Sequence, residues 1–408
     1  MLNFDQRQGR REFKPQEYLL VFREFEFESD AEIGQKGAFF KGLRILFQEG
    51  NIMQKAYRNF AYATLFVLLT ACAVLNSGTA GAIEQGDSSM KGKYAKYIFL
   101  DVKPLDIPPE ELAKIKQEQE EQQSMVDATH LLNLNTTRSE GAPYLDFVWL
   151  YEGSAKGYAE AEHTHDFDEF IGFIGVADQD DPHDLGSEIE LWLGGEKYMI
   201  TRSCLIYVPK GLRHCPIRFT RIGKPVLFFT GGMATSYSRT ATDFTDEHSA
   251  ERNYESLISY GVNPEKISPE TLKKWDDEGK KRQSTVEGTR LLDLDSVEGA
   301  PYIDFVYLWK GDEKGPNHPE HAHDWGEVFG FIGTNRDDVY DLGGEIEFWL
   351  GGEKYLFTKS SLVWVPPSLK HCPIQFNRID RPFILFTFGL TRKYSLMPSE
   401  DEEKTDIP

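Results

Sequence analysis

Histidine and glutamate recur twice in this chain with one spacing. The pattern H-x-H-x3-E occurs at residues 163–169 and again at residues 321–327. Residues two apart on a β-strand project to the same face, and a glutamate four positions later can share that face on the same or a paired strand. Imidazole and carboxylate groups are ligands of divalent transition metals, so both patterns indicate metal binding. The residues concerned are His163, His165, Glu169, His321, His323 and Glu327.

A further histidine follows each pattern. His214 comes after a Pro-Lys-Gly-Leu-Arg segment, and His371 comes after Pro-Pro-Ser-Leu-Lys. With these two, six of the ten histidines have an equivalent in the other half of the chain. The remaining four have no such counterpart, and they are His130, His183, His248 and His318.

The duplication extends well beyond the histidines. Of the 35 positions in 188–222, 23 are identical in 345–379, and similar segments recur upstream of both. The repeating unit is therefore about 155–160 residues long. We expect residues 94–233 and 267–397 to form two domains, joined by a linker at 234–266 and followed by an acidic tail at 398–408.

Each unit combines two kinds of sequence. An arm with helix-forming residues begins at Pro108-Pro109-Glu110-Glu111 in the first unit and at Pro269-Glu270 in the second, since proline and acidic residues suit a helix N-terminus. Short runs of β-branched and aromatic residues follow, bounded by Gly, Pro or Asp. Many such strands predict a barrel or a sandwich.

Composition narrows the class of function. The 408 residues include 40% hydrophobic and 13% aromatic residues, which are enough for a packed core. The net charge of −21 repels phosphate backbones, so we expect no nucleic-acid partner. The four cysteines are too few for a disulfide scaffold.

The repeated motifs resemble those of the cupin superfamily, and their duplication resembles a bicupin. The first cupin motif, G-x5-H-x-H-x3-E with a later glycine, matches 157–169 with Gly175 and 315–327 with Gly333. The second, P-x-G-x2-H, matches Pro209 to His214, whereas Ser368 replaces the glycine in the second unit. Arg218 and Gln375 stand where the family has asparagine, so the departures affect turns and surroundings rather than ligands.

This resemblance implies an all-β fold of two tandem double-stranded β-helix (cupin, jelly-roll) barrels with short helical arms. It implies up to two divalent metal ions per chain, one held by His163, His165, Glu169 and His214, and one by His321, His323, Glu327 and His371. Three imidazoles and a carboxylate suit Mn, Fe, Ni, Cu or Zn. The alternative is a metal-free barrel in which these residues are structural.

Residues beside the ligands also recur. Asp166 and Asp324 are candidate catalytic proton carriers, with solvated surface acids as the alternative. Cys215 and Cys372 are interpreted as buried thiols rather than thiolate ligands. Arg213 and Lys370 can either bind an anionic substrate or provide surface charge.

The N-terminal region indicates export. Residues 53–82 combine a basic start, an apolar run and small residues ending at Ala82, as in a secretory signal. Within that run, Leu69-Thr70-Ala71-Cys72 resembles a bacterial lipobox, in which Cys72 would carry the lipid anchor and provide the only contact with a membrane. A signal starting at Met53 leaves residues 1–52 as a non-native extension from a mis-called start.

We therefore expect an exported metalloenzyme of dioxygenase or decarboxylase type that acts on a small oxygenated molecule. It would be periplasmic, lipid-anchored or secreted, and a homo-oligomer is compatible with the sequence. The alternative is a non-catalytic periplasmic bicupin that binds a metal or a small ligand. The first barrel keeps the Pro-x-Gly turn, so we expect the two sites to differ, with the first favoured for chemistry.

Overall fold

A computed structural model describes residues 90–103, 126–176, 180–243 and 252–397. Several sequence predictions lie outside these residues. They are the extension 1–52, the signal 53–82 with Cys72, the first helical arm at 104–125 and the acidic tail 398–408.

The first half of the described chain is built from short strands. They are β1 (Ile98–Phe99), β2 (Asp127–Leu134), β3 (Tyr144–Glu152), β4 (His163–Thr164), β5 (Glu169–Gly175), β6 (Asp184–Leu193), β7 (Glu196–Arg202), β8 (Cys204–Val208), β9 (His214–Ile222), β10 (Val226–Gly232) and β11 (Thr240–Ala241).

Among the described residues, the second half repeats this order without counterparts of β4 and β11, and it contains one α-helix. Its elements are β12 (Ile258–Ser259), α1 (Pro269–Lys281), β13 (Glu287–Asp293), β14 (Tyr302–Lys310), β15 (Glu327–Gly333), β16 (Asp341–Leu350), β17 (Glu353–Lys359), β18 (Ser361–Val365), β19 (His371–Ile379) and β20 (Phe383–Gly389). The described part of the chain also has three 3-10 turns, one in the first half at Ala95–Tyr97 and two in the second at Glu255–Leu257 and Pro264–Ile267.

Antiparallel pairing closes the strands into two barrels. Barrel 1 consists of the sheets β12-β8-β5-β10-β3-β2 and β11-β4-β9-β6-β7, and barrel 2 of the sheets β1-β18-β15-β20-β14-β13 and β17-β16-β19. Each barrel encloses its own apolar cluster, which in barrel 1 includes Val148, Phe173 and Ile217. The predicted all-β fold of two tandem jelly-roll barrels is confirmed.

The six-stranded sheets are buried on both faces. On β3, Val148 belongs to the interior cluster of barrel 1, while its neighbours Phe147 and Trp149 belong to a separate cluster shared with barrel 2. The ring of Phe229 lies 4.9 Å from that of Phe305 across this boundary. Burial of a large apolar side chain stabilises a fold by about 1.5–3 kcal/mol, so the shared cluster binds the barrels into one unit.

Each barrel also receives a strand from the segment that precedes the other. The two-residue strand β1 precedes barrel 1 but pairs with β18 of barrel 2, and β12 precedes barrel 2 but pairs with β8 of barrel 1. Tyr94 packs on Gly351 and Tyr254 on Gly194 so closely that an added Cβ would lie 2.2 Å from either ring. The range 234–266, predicted as a linker, thus contains two strands, β11 and β12, that both pair with barrel 1.

Helix α1 begins where the sequence predicts. Pro269 occupies its first turn, and the Ser268 side chain accepts a hydrogen bond from the backbone N–H of Thr271. No residue of α1 is buried. Over the described ranges, we find no helix of sufficient length and apolar character to cross a membrane.

The turn before the last candidate metal ligand has the same shape in both barrels, but a different residue occupies its left-handed position. Gly211 has φ +80° and Ser368 has φ +66°, so both adopt the left-handed conformation. Glycine adopts this conformation freely, whereas a residue with a Cβ is strained in it by about 1–2 kcal/mol. The glycine-to-serine replacement noted in the sequence therefore leaves the turn intact at an energetic cost.

We predict that Ser368→Gly stabilises the protein and Gly211→Ser destabilises it, each by about 1 kcal/mol. A Cβ at residue 211 would meet no atom within 4 Å, so only the backbone conformation is tested there. Denaturant unfolding of both variants beside the parent protein measures the change. Equal stability of all three proteins would contradict the prediction.

Candidate metal centres

The donors of the first centre come from three strand ends. His163 begins β4, His165 directly follows it, Glu169 begins β5 and His214 begins β9. Pairing of β4 with β9 places His163 opposite His214. The four predicted ligands therefore meet at one end of barrel 1, although they span more than fifty positions of the sequence.

Their donor atoms converge on one point. The Nε2 atoms of His163 and His165 are 3.1 Å apart, and the Glu169 Oε2 atom lies 3.3 Å from His165 Nε2 and 2.9 Å from His214 Nε2. All four ligand atoms lie within 4.8 Å of one another. A divalent ion bound by nitrogen at about 2.0–2.1 Å fits between donors at such separations.

The second centre reproduces this arrangement in barrel 2. The Glu327 Oε2 atom lies 3.4 Å from His323 Nε2 and 3.0 Å from His371 Nε2. The fourth predicted ligand, His321, faces His371 through an isolated β-bridge. Its ligand atoms also lie within 4.8 Å of one another, and they belong to His321, His323, Glu327 and His371.

Backbone carbonyl groups orient all six imidazoles. In each ring Nδ1 lies 2.5–3.0 Å from a carbonyl oxygen, which is a hydrogen-bond acceptor, so Nδ1 carries the proton. The Nε2 atom is then unprotonated, and its lone pair points into the centre. The carbonyls belong to Ala161, Ser238, Leu212, Pro319, Ser395 and Leu369.

Without a cation these donors would face one another unpaired. Within the described part of the chain, the buried side-chain atoms that lack a hydrogen-bond partner include Oε2 of both glutamates and Nε2 of His214, His323 and His371. Buried polar atoms are normally satisfied, because leaving one unpaired costs about 1–3 kcal/mol. The two clusters thus fit two divalent metal ions.

The surroundings favour the ligating protonation state at one histidine and at the glutamate of each centre. Burial lowers the pKa of His163 to about 4 and that of His321 to about 4, which leaves both rings neutral at neutral pH. Burial alone would raise the pKa of Glu169 and Glu327, but the histidines adjacent to each carboxylate lower it below the ordinary value. Neutral imidazoles and ionised carboxylates are the forms that bind metal.

A segment covers the first centre. Residues 237–242, here called the strap, contain β11, which pairs with β4 next to His163. Thr242 Oγ1 donates a hydrogen bond of 2.9 Å to Glu162, whose side chain is fully buried. In barrel 2 the equivalent acid Glu320 is exposed, and His321 is half-buried where His163 is buried. Within the described residues, the two centres therefore share ligands but differ in how deeply the flanking glutamate and the first histidine are buried.

The candidate catalytic aspartates lie outside the ligand clusters. Asp166 and Asp324 are both exposed. Asp166 Oδ1 lies 3.4 Å from the hydroxyl of Ser238, whose carbonyl orients His165. Their role as proton carriers stays a prediction.

The residues next to His214 and His371 have different surroundings in the two barrels. Arg213 lies 3.4 Å from the buried Glu162, whereas Lys370 lies 4.0 Å from the exposed Glu320. The thiols of Cys215 and Cys372 are buried, and burial raises the pKa of both well above the usual range. Cys215 forms a third potential donor group with Glu160 and His163, but a protonated thiol is a poor ligand.

The sequence analysis did not identify the tyrosine that packs against one ligand histidine in each centre. The ring centroids of Tyr237 and His165 are 5.3 Å apart, and those of Tyr394 and His323 are 5.0 Å apart. Both tyrosines precede the serine whose carbonyl orients that histidine. The dipeptide Tyr-Ser at 237–238 and 394–395 was a visible signal, because it preserves the spacing of the repeat.

No protein-family model matches the chain, and neither does any curated protein. Similar solved structures include the oxalate decarboxylase of Lactobacillus farciminis in complex with formate, at 14% identity and a TM-score of 0.39, covering 69% of this chain and 89% of that one. A variant of Bacillus subtilis oxalate decarboxylase has 15% identity and a TM-score of 0.38, with 69% and 80% covered. These values are too low to extend an activity to this chain.

We predict two metal ions per chain in the parent protein, one in His214→Ala and in His371→Ala, and none in the double variant. Each substitution removes one of four donors and leaves a buried carboxylate without its imidazole partner. Elemental analysis after anaerobic reconstitution measures the content. The control is His130→Gln, because His130 faces Asp146 and belongs to neither cluster. A metal content of two in either single variant would contradict the assignment.

Proposed function

We propose that this metal-binding bicupin is an enzyme of dioxygenase or decarboxylase type that acts on a small oxygenated molecule. The observation that supports it is the pair of three-histidine, one-glutamate clusters, of which the first is fully buried and the second is buried except at His321. Four protein donors leave two positions of a six-coordinate ion for other ligands. Four protein donors would close the site around a tetrahedral ion, so the proposal requires an ion that takes more than four ligands.

The bound ion would act as a Lewis acid that polarises a substrate oxygen. His163, His165, Glu169 and His214 would hold it in barrel 1, and the equivalent four residues would hold it in barrel 2. The carbonyl bonds to Nδ1 keep the imidazoles from rotating, which makes the centre ready before substrate binds. Preorganised groups of this kind lower the cost of reaching a transition state.

Aromatic side chains line the second centre. In barrel 2, Phe329 packs 5.7 Å from His371, and Trp325 stacks on His323 at 3.9 Å. The Tyr394 hydroxyl lies 3.5 Å from Nε2 of His321, so a hydrogen-bonding group is available beside the ligand cluster. A small polar substrate would therefore meet an apolar surface with one hydroxyl.

Exchange of protons with solvent is the role we propose for Asp166 and Asp324, since both lie exposed next to a ligand histidine.

We predict turnover of at least one small carboxylic acid or catechol by the reconstituted protein. Carbon dioxide release and oxygen uptake, measured on one panel of compounds, distinguish decarboxylation from oxygenation. His214→Ala and His371→Ala assign the reaction to one barrel or to both, with His130→Gln as the control. Ligand-dependent thermal shifts without turnover by fully loaded protein would instead indicate a non-catalytic binding protein.

We also propose that the protein is exported. The support is the sequence of 53–82, with its basic start, apolar run and small residues. We predict that mature protein from a bacterial envelope fraction begins either at a lipid-modified Cys72 or after Ala82. N-terminal sequencing and intact mass distinguish these two forms, and Cys72→Ser should abolish only the lipidated one. Retention of residues 53–82 in a cytoplasmic product would contradict export.

A further inference from the structure

A carboxylate lies behind one ligand of the first centre. Glu160 Oε1 is 3.8 Å from Nδ1 of His163, the ring nitrogen that points away from the ligand cluster. The same oxygen accepts a hydrogen bond of 2.7 Å from the Tyr237 hydroxyl and lies 3.4 Å from Nη1 of Arg239. The Arg239 side chain is 4% exposed, so the strap holds this carboxylate from an enclosed position.

Barrel 2 lacks this arrangement. In the repeat, His318 takes the place of Glu160 and Leu396 the place of Arg239, while the tyrosine is kept as Tyr394. Among the described residues, the ion pairs of the second cluster join Glu327 to His323 and His371 and do not involve His321. The Nδ1 atom of His321 contacts the Pro319 carbonyl, just as that of His163 contacts the Ala161 carbonyl. Across the described residues, the surroundings of Nδ1 thus match in His163 and His321, except that a carboxylate lies beside His163 only.

We propose that Glu160 is a positioning residue that strengthens metal binding at the first centre by acting through His163. A negative charge beside the Nδ1–H group increases electron donation from Nε2 and offsets part of the charge of the ion. The strap sets the position of Glu160 through Tyr237 and Arg239. The proposal rests on metal occupancy of the ligand clusters and goes beyond it, because it makes two centres with identical ligands unequal.

The expected consequence is a ranked affinity. Loss of an outer partner of a metal-ligating histidine weakens metal binding by about 10–100-fold. The first centre should therefore bind a given divalent ion more tightly than the second, by roughly the same factor. The ranking follows from the residues behind the ligands and not from the ligands themselves.

The experiment measures Mn(II) affinity at one centre at a time. Full-length His371→Ala retains the first centre, and full-length His214→Ala retains the second. Competition with a fluorescent chelator under anaerobic conditions gives each dissociation constant. Glu160→Gln is then added to both backgrounds, because the amide keeps the shape of the side chain and can still accept the Tyr237 hydrogen bond while it removes the charge.

The expected result is a loss of about 10–100-fold in Mn(II) affinity at the first centre and no change at the second. Glu160→Asp, which keeps the charge, should recover part of the loss, and the Mn(II) EPR spectrum of the first centre should change with Glu160→Gln. Thr242→Val is the matched control, since it removes the strap's hydrogen bond to Glu162 without touching Glu160.

Three results would overturn the proposal. They are an unchanged first-centre affinity in Glu160→Gln, an equal loss at both centres, and an equal loss in Thr242→Val, which would indicate loosening of the strap. Absence of Mn(II) binding in both single-centre proteins before Glu160 is changed would refute the metal centres themselves. That failure is distinguishable from the others because it appears in the backgrounds alone.

Discussion

The convergence of three imidazole lone pairs and one carboxylate is the constraint on which both centres depend. Such donors repel or remain unsatisfied in a buried site unless a cation lies between them. Backbone carbonyls, among them those of Ser238 and Ser395, hold the rings in this orientation by accepting a hydrogen bond from Nδ1–H. Main-chain carbonyl groups therefore orient the side chains that bind the metal.

The barrels supply the rigidity that this convergence requires. The first centre takes its donors from the starts of β4, β5 and β9, so its geometry depends on the register of several strand pairs. The aromatic cluster between barrels and the exchanged strands β1 and β12 tie that register to the neighbouring barrel. Each centre is thus supported by residues from both halves of the chain.

Duplication did not leave two equal sites. Ser368 keeps the left-handed turn that Gly211 adopts without strain, so the ligand geometry survived the change. The environment diverged instead, because the strap covers Glu162 and contacts Glu160 in barrel 1, while Glu320 is exposed in barrel 2. The two clusters therefore have the same ligands but different outer partners, and outer partners tune metal affinity.

The sequence by itself determined the all-β class and the twofold repeat, because spacing and β-type patterning are local properties. The resemblance of the repeated motifs to those of the cupin superfamily implied how the metal donors group. The position of helix α1 was also readable from Pro269 and Glu270. Only the tertiary structure decided which carbonyls orient the imidazoles, how β1 and β12 are exchanged, and that Glu160 lies behind His163. These contacts join residues that are distant in sequence or depend on the bend of a loop, and neither leaves a periodic signal in the chain.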